Sequence, residues 1–137
     1  MPELTDDELA YLQSVLDDAR AGRTHDLAAA VDAGVPVNLT SGAGDSLLML
    51  AAYHNHPATV TALLARGADT ERINDRGQTA LGAAVFRGCE PSVRALLKAG
   101  ANPDGGPRSA ITVATVFELK EMAHLLRSHQ ADDPTDQ

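Results

Sequence analysis

Leu27-Ala-Ala-Ala-Val-Asp-Ala-Gly34, Val60-Thr-Ala-Leu-Leu-Ala-Arg-Gly67 and Val93-Arg-Ala-Leu-Leu-Lys-Ala-Gly100 superimpose on one another at a spacing of 33 residues. Each reads apolar, any, Ala, Leu or Ala, Leu or Val, two variable positions and Gly. A fixed period of this length marks a solenoid of stacked helical units, each too small to bury its apolar face alone.

The register extends on both sides of these segments. Ser46-Leu-Leu-Met-Leu-Ala51-Ala52-Tyr53 aligns without gaps on Thr79-Ala-Leu-Gly-Ala-Ala84-Val85-Phe86, and Ser109-Ala-Ile-Thr-Val-Ala114-Thr115-Val116 supplies a third copy. Two helices per unit follow. Reaching the third copy takes a three-residue deletion after Gly100. A one-residue deletion near Phe117 then brings Met122, Leu125 and Leu126 beneath Val93, Leu96 and Leu97.

Local signals agree with helical pairs. Ser46, Thr79 and Ser109 share one column before an apolar run, where a hydroxyl can accept from the free N–H groups of a helix start. Gly34, Gly67 and Gly100 stand where the second helices must stop through positive φ. Asn55 and Gly88 share the column between the two helices and tolerate a left-handed conformation. Pro57 and Pro91 suit a first helical turn. Thr5-Asp-Asp-Glu8 is a capping box ahead of Leu9, Leu12, Val15 and Leu16. Ala51, Ala84 and Ala114 allow close helix approach, while Leu63-Leu64, Leu96-Leu97 and Leu125-Leu126 supply buried bulk. Asp18 replaces this alanine at the first unit, as suits an end of the stack that faces water.

Ala65-Arg-Gly-Ala-Asp69, Asn74-Asp-Arg-Gly-Gln-Thr-Ala-Leu81, Ala83-Ala84, the Gly88-Cys89 turn and Ala95-Leu-Leu-Lys-Ala-Gly-Ala-Asn102 together resemble the ankyrin repeat family. The resemblance covers about residues 7 to 129. It implies an all-α solenoid of four helix-turn-helix repeats joined by β-turn loops, in a single domain. The expected units are an N-terminal cap repeat at 5–37, regular repeats at 38–70 and 71–103, and a degenerate C-terminal cap at 104–129. The polar, acidic tail at 130–137 is expected to be disordered.

Composition limits the function classes. The chain has 137 residues, 44% of them apolar, and a formal net charge of −8. Its N-terminus is acidic from the third residue and no apolar stretch has transmembrane length, so a cytoplasmic location is expected, with no membrane partner. The acidity argues against nucleic acid, where binding depends on clustered Lys and Arg, and would steer a basic partner. It also suffices simply to keep a small protein soluble. Nine arginines against two lysines, with abundant Ala, Gly and Asp, suggest a GC-rich bacterial genome. The lone Cys89 forms no internal disulfide, as suits a reducing compartment.

No constellation carries chemistry. His54-Asn-His56 is the only close histidine pair, and a structural zinc site wants four ligands, whereas His25, His124 and His129 belong to other units. The family resemblance makes His56 a structural, locally hydrogen-bonded residue, with Cys89 in the equivalent place filling a small buried space. Cys89 has no base at a suitable spacing to make it a nucleophile. Gly42-Ala-Gly44 and Gly105-Gly106 lack the lysine of a phosphate cradle. The chain is therefore expected not to be an enzyme and to carry no cofactor and no metal.

What remains is a surface. In ankyrin-like stacks the concave face is built from the β-turn tips and the exposed part of each first helix, which here implies protein-binding roles for Arg20, Asp45, Tyr53, His54, Ile73, Asp75, Arg76, Gln78, Phe86, Arg87 and Phe117. Three of the four aromatic residues, Tyr53, Phe86 and Phe117, end successive first helices and could form a ladder. Aromatic rings flanked by Arg20, Arg76 and Arg87 have the composition of an interface hot spot, although each could instead pack only on its neighbouring unit. The glycine-rich turn Thr40-Ser-Gly-Ala-Gly44 is expected to be mobile, and the shortened turn Pro103-Asp-Gly-Gly-Pro107 to end the concave wall. Gly82 stands inside a first helix, where it costs roughly 1 kcal/mol relative to Ala.

The expected function is a non-catalytic protein-binding module, acting as a monomer through its concave face on a protein partner, which the charge would make basic. Alternatives are an inhibitor or immunity-type partner of a basic protein, an enzyme accessory that delivers a metal or cofactor, and a self-associating structural unit.

Overall fold

Eight helices form four consecutive antiparallel pairs in the computed structural model, which describes residues 4–132, with side chains described to His129. They are α1 (Asp6–Ala21), α2 (Thr24–Asp32), α3 (Leu47–Tyr53), α4 (Pro57–Ala65), α5 (Ala80–Arg87), α6 (Glu90–Lys98), α7 (Ala110–Val116) and α8 (Lys120–Asp132). The first helices α1, α3, α5 and α7 pack in sequence, and the second helices α2, α4, α6 and α8 form a parallel layer behind them. No strand occurs among the described residues; the turns between units carry only isolated bridges, Thr40 with Ser46 and Gln78 with Arg108.

The helix starts follow from hydroxyl chemistry. Ser46 accepts from the Met49 N–H at 3.1 Å, Thr79 from the Gly82 N–H at 3.0 Å and Ser109 from the Thr112 N–H at 3.2 Å, each satisfying a donor with no helical partner. At the N-terminus, the Thr5 hydroxyl accepts from the Glu8 N–H at 3.1 Å while the Glu8 carboxylate accepts from the Thr5 N–H at 3.0 Å. Donation to the carboxylate, first from the Thr5 backbone N–H and then from the Thr5 side chain, holds the Glu8 carboxyl below its ordinary pKa.

The core is one continuous layer. Ala51, Ala84 and Ala114 are buried at the closest approach of the first helices. Leu27, Val60, Leu63, Val93, Leu96 and Leu126 are buried between first and second helices. Burial of each large aliphatic side chain contributes about 1.5–3 kcal/mol, and neighbouring units share that gain. Asp18, in the alanine column of the first unit, keeps partial exposure and pairs with Arg23 at 2.9 Å.

The last unit corrects the expected register. From N-cap to left-handed residue, Ser46 leads to Asn55 (φ 68°), Thr79 to Gly88 (φ 70°) and Ser109 to Glu118 (φ 54°), the same nine steps each time. The next residue's N–H then bonds back to the column alanine: His56 to Ala51, Cys89 to Ala84 and Leu119 to Ala114. There is thus no deletion near Phe117. Ala123 and Leu126 take the places of Val93 and Leu96, and Leu126, not Leu125, is the buried one. Val116, rather than Phe117, shares a column with Tyr53 and Phe86. The deletion looked necessary because Ala123 and Arg127 replace two aliphatic residues, and the apolar pattern reads better one residue earlier.

Two further expectations change. The helix α8 runs to Asp132 and so takes up residues 130–132 of the expected disordered tail, whose remainder lies outside the described residues. The shortened turn before α7 does not end the wall: the Arg108 N–H donates to the Gly77 carbonyl at 3.1 Å, joining this turn to the previous one.

Candidate functional site

The turn tips and first helices enclose a concave groove of about 440 Å³ that reaches from Arg20 at the end of α1 to Arg108 and Phe117 on either side of α7. Its wall is a row of linked turns. The Asp75 N–H donates to the Ala43 carbonyl at 3.0 Å, so the glycine-rich tip at 40–44 is tied to its neighbour as Gly77 is tied to Arg108. Asn74 anchors the centre of this wall. Its buried amide donates to Asp45 Oδ1 at 2.7 Å and to Gln78 Oε1 at 2.9 Å, while its Oδ1 accepts from the N–H groups of Arg76 and Gln78 at 3.0 and 2.9 Å. All four hydrogen-bonding positions of the side chain are filled.

The opposite wall is a set of exposed side chains at the ends of the first helices. Tyr53, Phe86 and Phe117 are 41%, 46% and 55% exposed, yet each touches a neighbouring side chain. The Phe86 and Phe117 rings meet edge-on with centroids 5.2 Å apart, the Tyr53 and His54 rings meet edge-on at 5.2 Å, and the Arg87 guanidinium lies 5.5 Å from the Tyr53 centroid. Because Phe117 and Arg87 share a column, both cross-unit contacts are one motif. The residue one place after the column of Tyr53, Phe86 and Val116 reaches back over the ring of the preceding unit.

His56 sets this edge. Its Nε2 lies 2.8 Å from the Arg20 carbonyl, which can only accept, so Nε2 carries the proton and the bond crosses between units rather than staying local. The ring occupies space beside Gly22 (φ 75°), where a Cβ would come within 2.5 Å of His56 Nδ1. His54, next to it, is held below the ordinary histidine pKa, first by partial burial and then by the positive charges of His56, Arg20 and Arg87, with Asp45 opposing.

Eight of the eleven residues assigned to a concave face from the sequence line this one groove: Arg20, Asp45, Tyr53, His54, Arg76, Gln78, Phe86 and Phe117. Three stand beside it. Arg87 covers Tyr53, exposed Ile73 lies against Gly106, and Asp75 holds its turn through its backbone. The sequence reading missed Met49, Leu50, Gly82, Ala83, Arg108 and Val113, which also line the groove. Arg108 was legible, since it occupies the column of Asp45 and Gln78 once the deletion after Gly100 is applied. Gly82 stands at a close approach, since a Cβ there would come 3.0 Å from the Arg108 carbonyl oxygen and the turn before α7 would have to give way.

Chemistry elsewhere is sparse. Cys89 is buried, with Sγ donating to Ser92 Oγ at 3.2 Å, and fills its turn as expected. Among the described residues no group of three or more His, Cys, Asp or Glu side chains is gathered to hold a metal, and no helix is long and apolar enough to cross a membrane.

A family model described as ankyrin repeats (3 copies) matches residues 19–106 and 48–137. An ankyrin repeat protein of Pseudomonas aeruginosa is 42% identical over 59 residues, which are 43% of this chain and 34% of that protein. The crystal structure of the human ASB11 ankyrin repeat domain aligns with a TM-score of 0.75 at 28% identity, covering 90% of this chain and 56% of that one. The chain thus spans about a third of the bacterial relative and little more than half of the human domain. On the repeat period, the helix pairs and the family match together, the chain belongs to the ankyrin repeat family.

Proposed function

We propose that this chain is a non-catalytic protein-binding module that takes a partner protein in its concave groove, acting as a monomer in the cytoplasm. Ankyrin repeats generally serve as protein–protein interaction modules. Fold alone does not assign a site, so the reading rests on one observation: Tyr53, Phe86 and Phe117 are held in fixed edge and cation contacts while keeping nearly half of their surface in water. Rings already ordered in the free protein lose little entropy on binding, which is the property of an interface anchor.

The test is affinity capture from the source lysate with the wild-type chain and with Tyr53→Ala/Phe86→Ala/Arg87→Ala, all exposed positions. A protein retained by the wild type and lost by the triple variant supports the groove. Equal retention by both places the binding surface elsewhere.

A further inference from the structure

The groove has a charge opposite to that of the chain around it. Of the nine arginines, Arg20, Arg23, Arg66, Arg72 and Arg94 are each paired with a carboxylate within 3.5 Å. Arg76, Arg87 and Arg108 have no carboxylate within 4.0 Å among the described residues, and all three are exposed at the groove: Arg76 and Arg108 line it and Arg87 caps the Tyr53 ring on its edge. Arg20 lines it as well, paired to Asp17 at 2.8 Å. The one carboxylate in the lining, Asp45, already accepts from Asn74 at 2.7 Å.

From this we infer that the groove's occupant is an acidic peptide segment, one that places Asp or Glu side chains around an aromatic or aliphatic residue. The inference rests on the protein-binding reading and specifies its partner. Whole-chain acidity points to a basic partner, but that long-range field decays over about 8 Å at physiological ionic strength, so contact is governed by the groove itself. Planar guanidinium groups without partners accept carboxylates in bidentate geometry, and the half-exposed rings between them offer the apolar contact. The occupant is elongated, because the arginines are spread from the end of α1 to the start of α7, across all four helix pairs. A long polyanion such as nucleic acid fits less well: beyond the groove its phosphates would meet a surface that brings the chain to −8.

The test is a random twelve-residue peptide display selection on the immobilised full chain, followed by fluorescence anisotropy on labelled winners. Wild type is compared with Arg76→Glu/Arg108→Glu, with the milder Arg76→Gln/Arg108→Gln, and with Tyr53→Ala/Phe86→Ala, each checked for helical circular dichroism. Winners rich in Asp and Glu around an apolar residue are expected, with affinity falling at least tenfold in the charge-reversed chain, less in the neutralised one, and markedly with added salt. Winners rich in Lys and Arg, or indifferent to both arginine variants, would overturn the acidic assignment. If such peptides were still lost in Tyr53→Ala/Phe86→Ala, the groove would remain the binding surface. Failure to enrich any peptide, or tighter binding of a labelled twenty-nucleotide single-stranded DNA than of the best peptide, would also overturn it.

Discussion

The guanidinium of Arg87 lies 5.5 Å from the centre of the Tyr53 ring, reaching back across the boundary between two repeats. Both side chains are exposed, so the contact is expected to stabilise the stack by only about 0.5–1 kcal/mol. A double-mutant cycle with Tyr53→Ala and Arg87→Ala in chemical denaturation should return a coupling of that size; additive effects would mean that the two side chains do not interact in solution.

Gly22 and Gly88 have nearly the same backbone, φ 75° and 70°, but different surroundings. A Cβ on Gly22 would meet the His56 ring at 2.5 Å, whereas one on Gly88 meets nothing within 4 Å. Gly88→Ala is expected to cost about 1–2 kcal/mol from the left-handed conformation alone. Gly22→Ala should exceed that by at least about 1 kcal/mol, because a clash with the half-buried His56 ring is added and its bond to the Arg20 carbonyl is displaced. Equal losses in thermal or urea melts would refute the packing role of His56.

Asn74→Ala removes the hub of the central turn. The N–H groups of Arg76 and Gln78 and the Asp45 carboxylate lose their partner together. A loss of about 1–3 kcal/mol is expected from groups left unsatisfied. Amide hydrogen exchange should quicken at residues 74–78 more than in α4 or α6, and a uniform increase would contradict a local role.

His54 makes stability sensitive to mild acid. Its folded pKa lies below its unfolded value, so its contribution is fully present above that unfolded value and is lost as pH falls through the folded one. The unfolded value is about 6.5. Lowering the pH from about 7.5 to about 5, across that value, should therefore lower the melting temperature more in wild type than in His54→Gln. The same drop in both would assign the effect to other groups.

Most of the fold was legible because each unit repeats the same local chemistry. The hydroxyl N-caps Ser46, Thr79 and Ser109, the stops Gly34, Gly67 and Gly100, and the column alanines each occur three times, and one reading checks the next. The last unit was misread where that redundancy failed. Glu118 takes the left-handed position held elsewhere by Asn55 and Gly88, a residue type that gives no turn signal. The groove was partly legible, since columns place Asp45 and Gln78 on one wall and Tyr53 and Phe86 on the other. Its charge was not: Arg20, Arg72 and Arg94 pair with carboxylates three or four residues away and Arg66 reaches across units to Asp32, but Arg87 does not pair with Glu90, three residues on. Pairing thus depends on side-chain geometry that spacing alone does not give, and the formal charge of the chain has the opposite sign.

Partner binding in the concave groove can be read residue by residue from amide chemical-shift mapping of the 14.3 kDa chain with a saturating amount of the peptide selected on it. The largest changes are expected at Tyr53, Gly82, Phe86 and Arg108, whose residues face the groove from three different repeats. Changes concentrated instead at Arg94, Lys98 and Ser128, on the second-helix layer, would place binding on the opposite side of the stack and contradict a groove site.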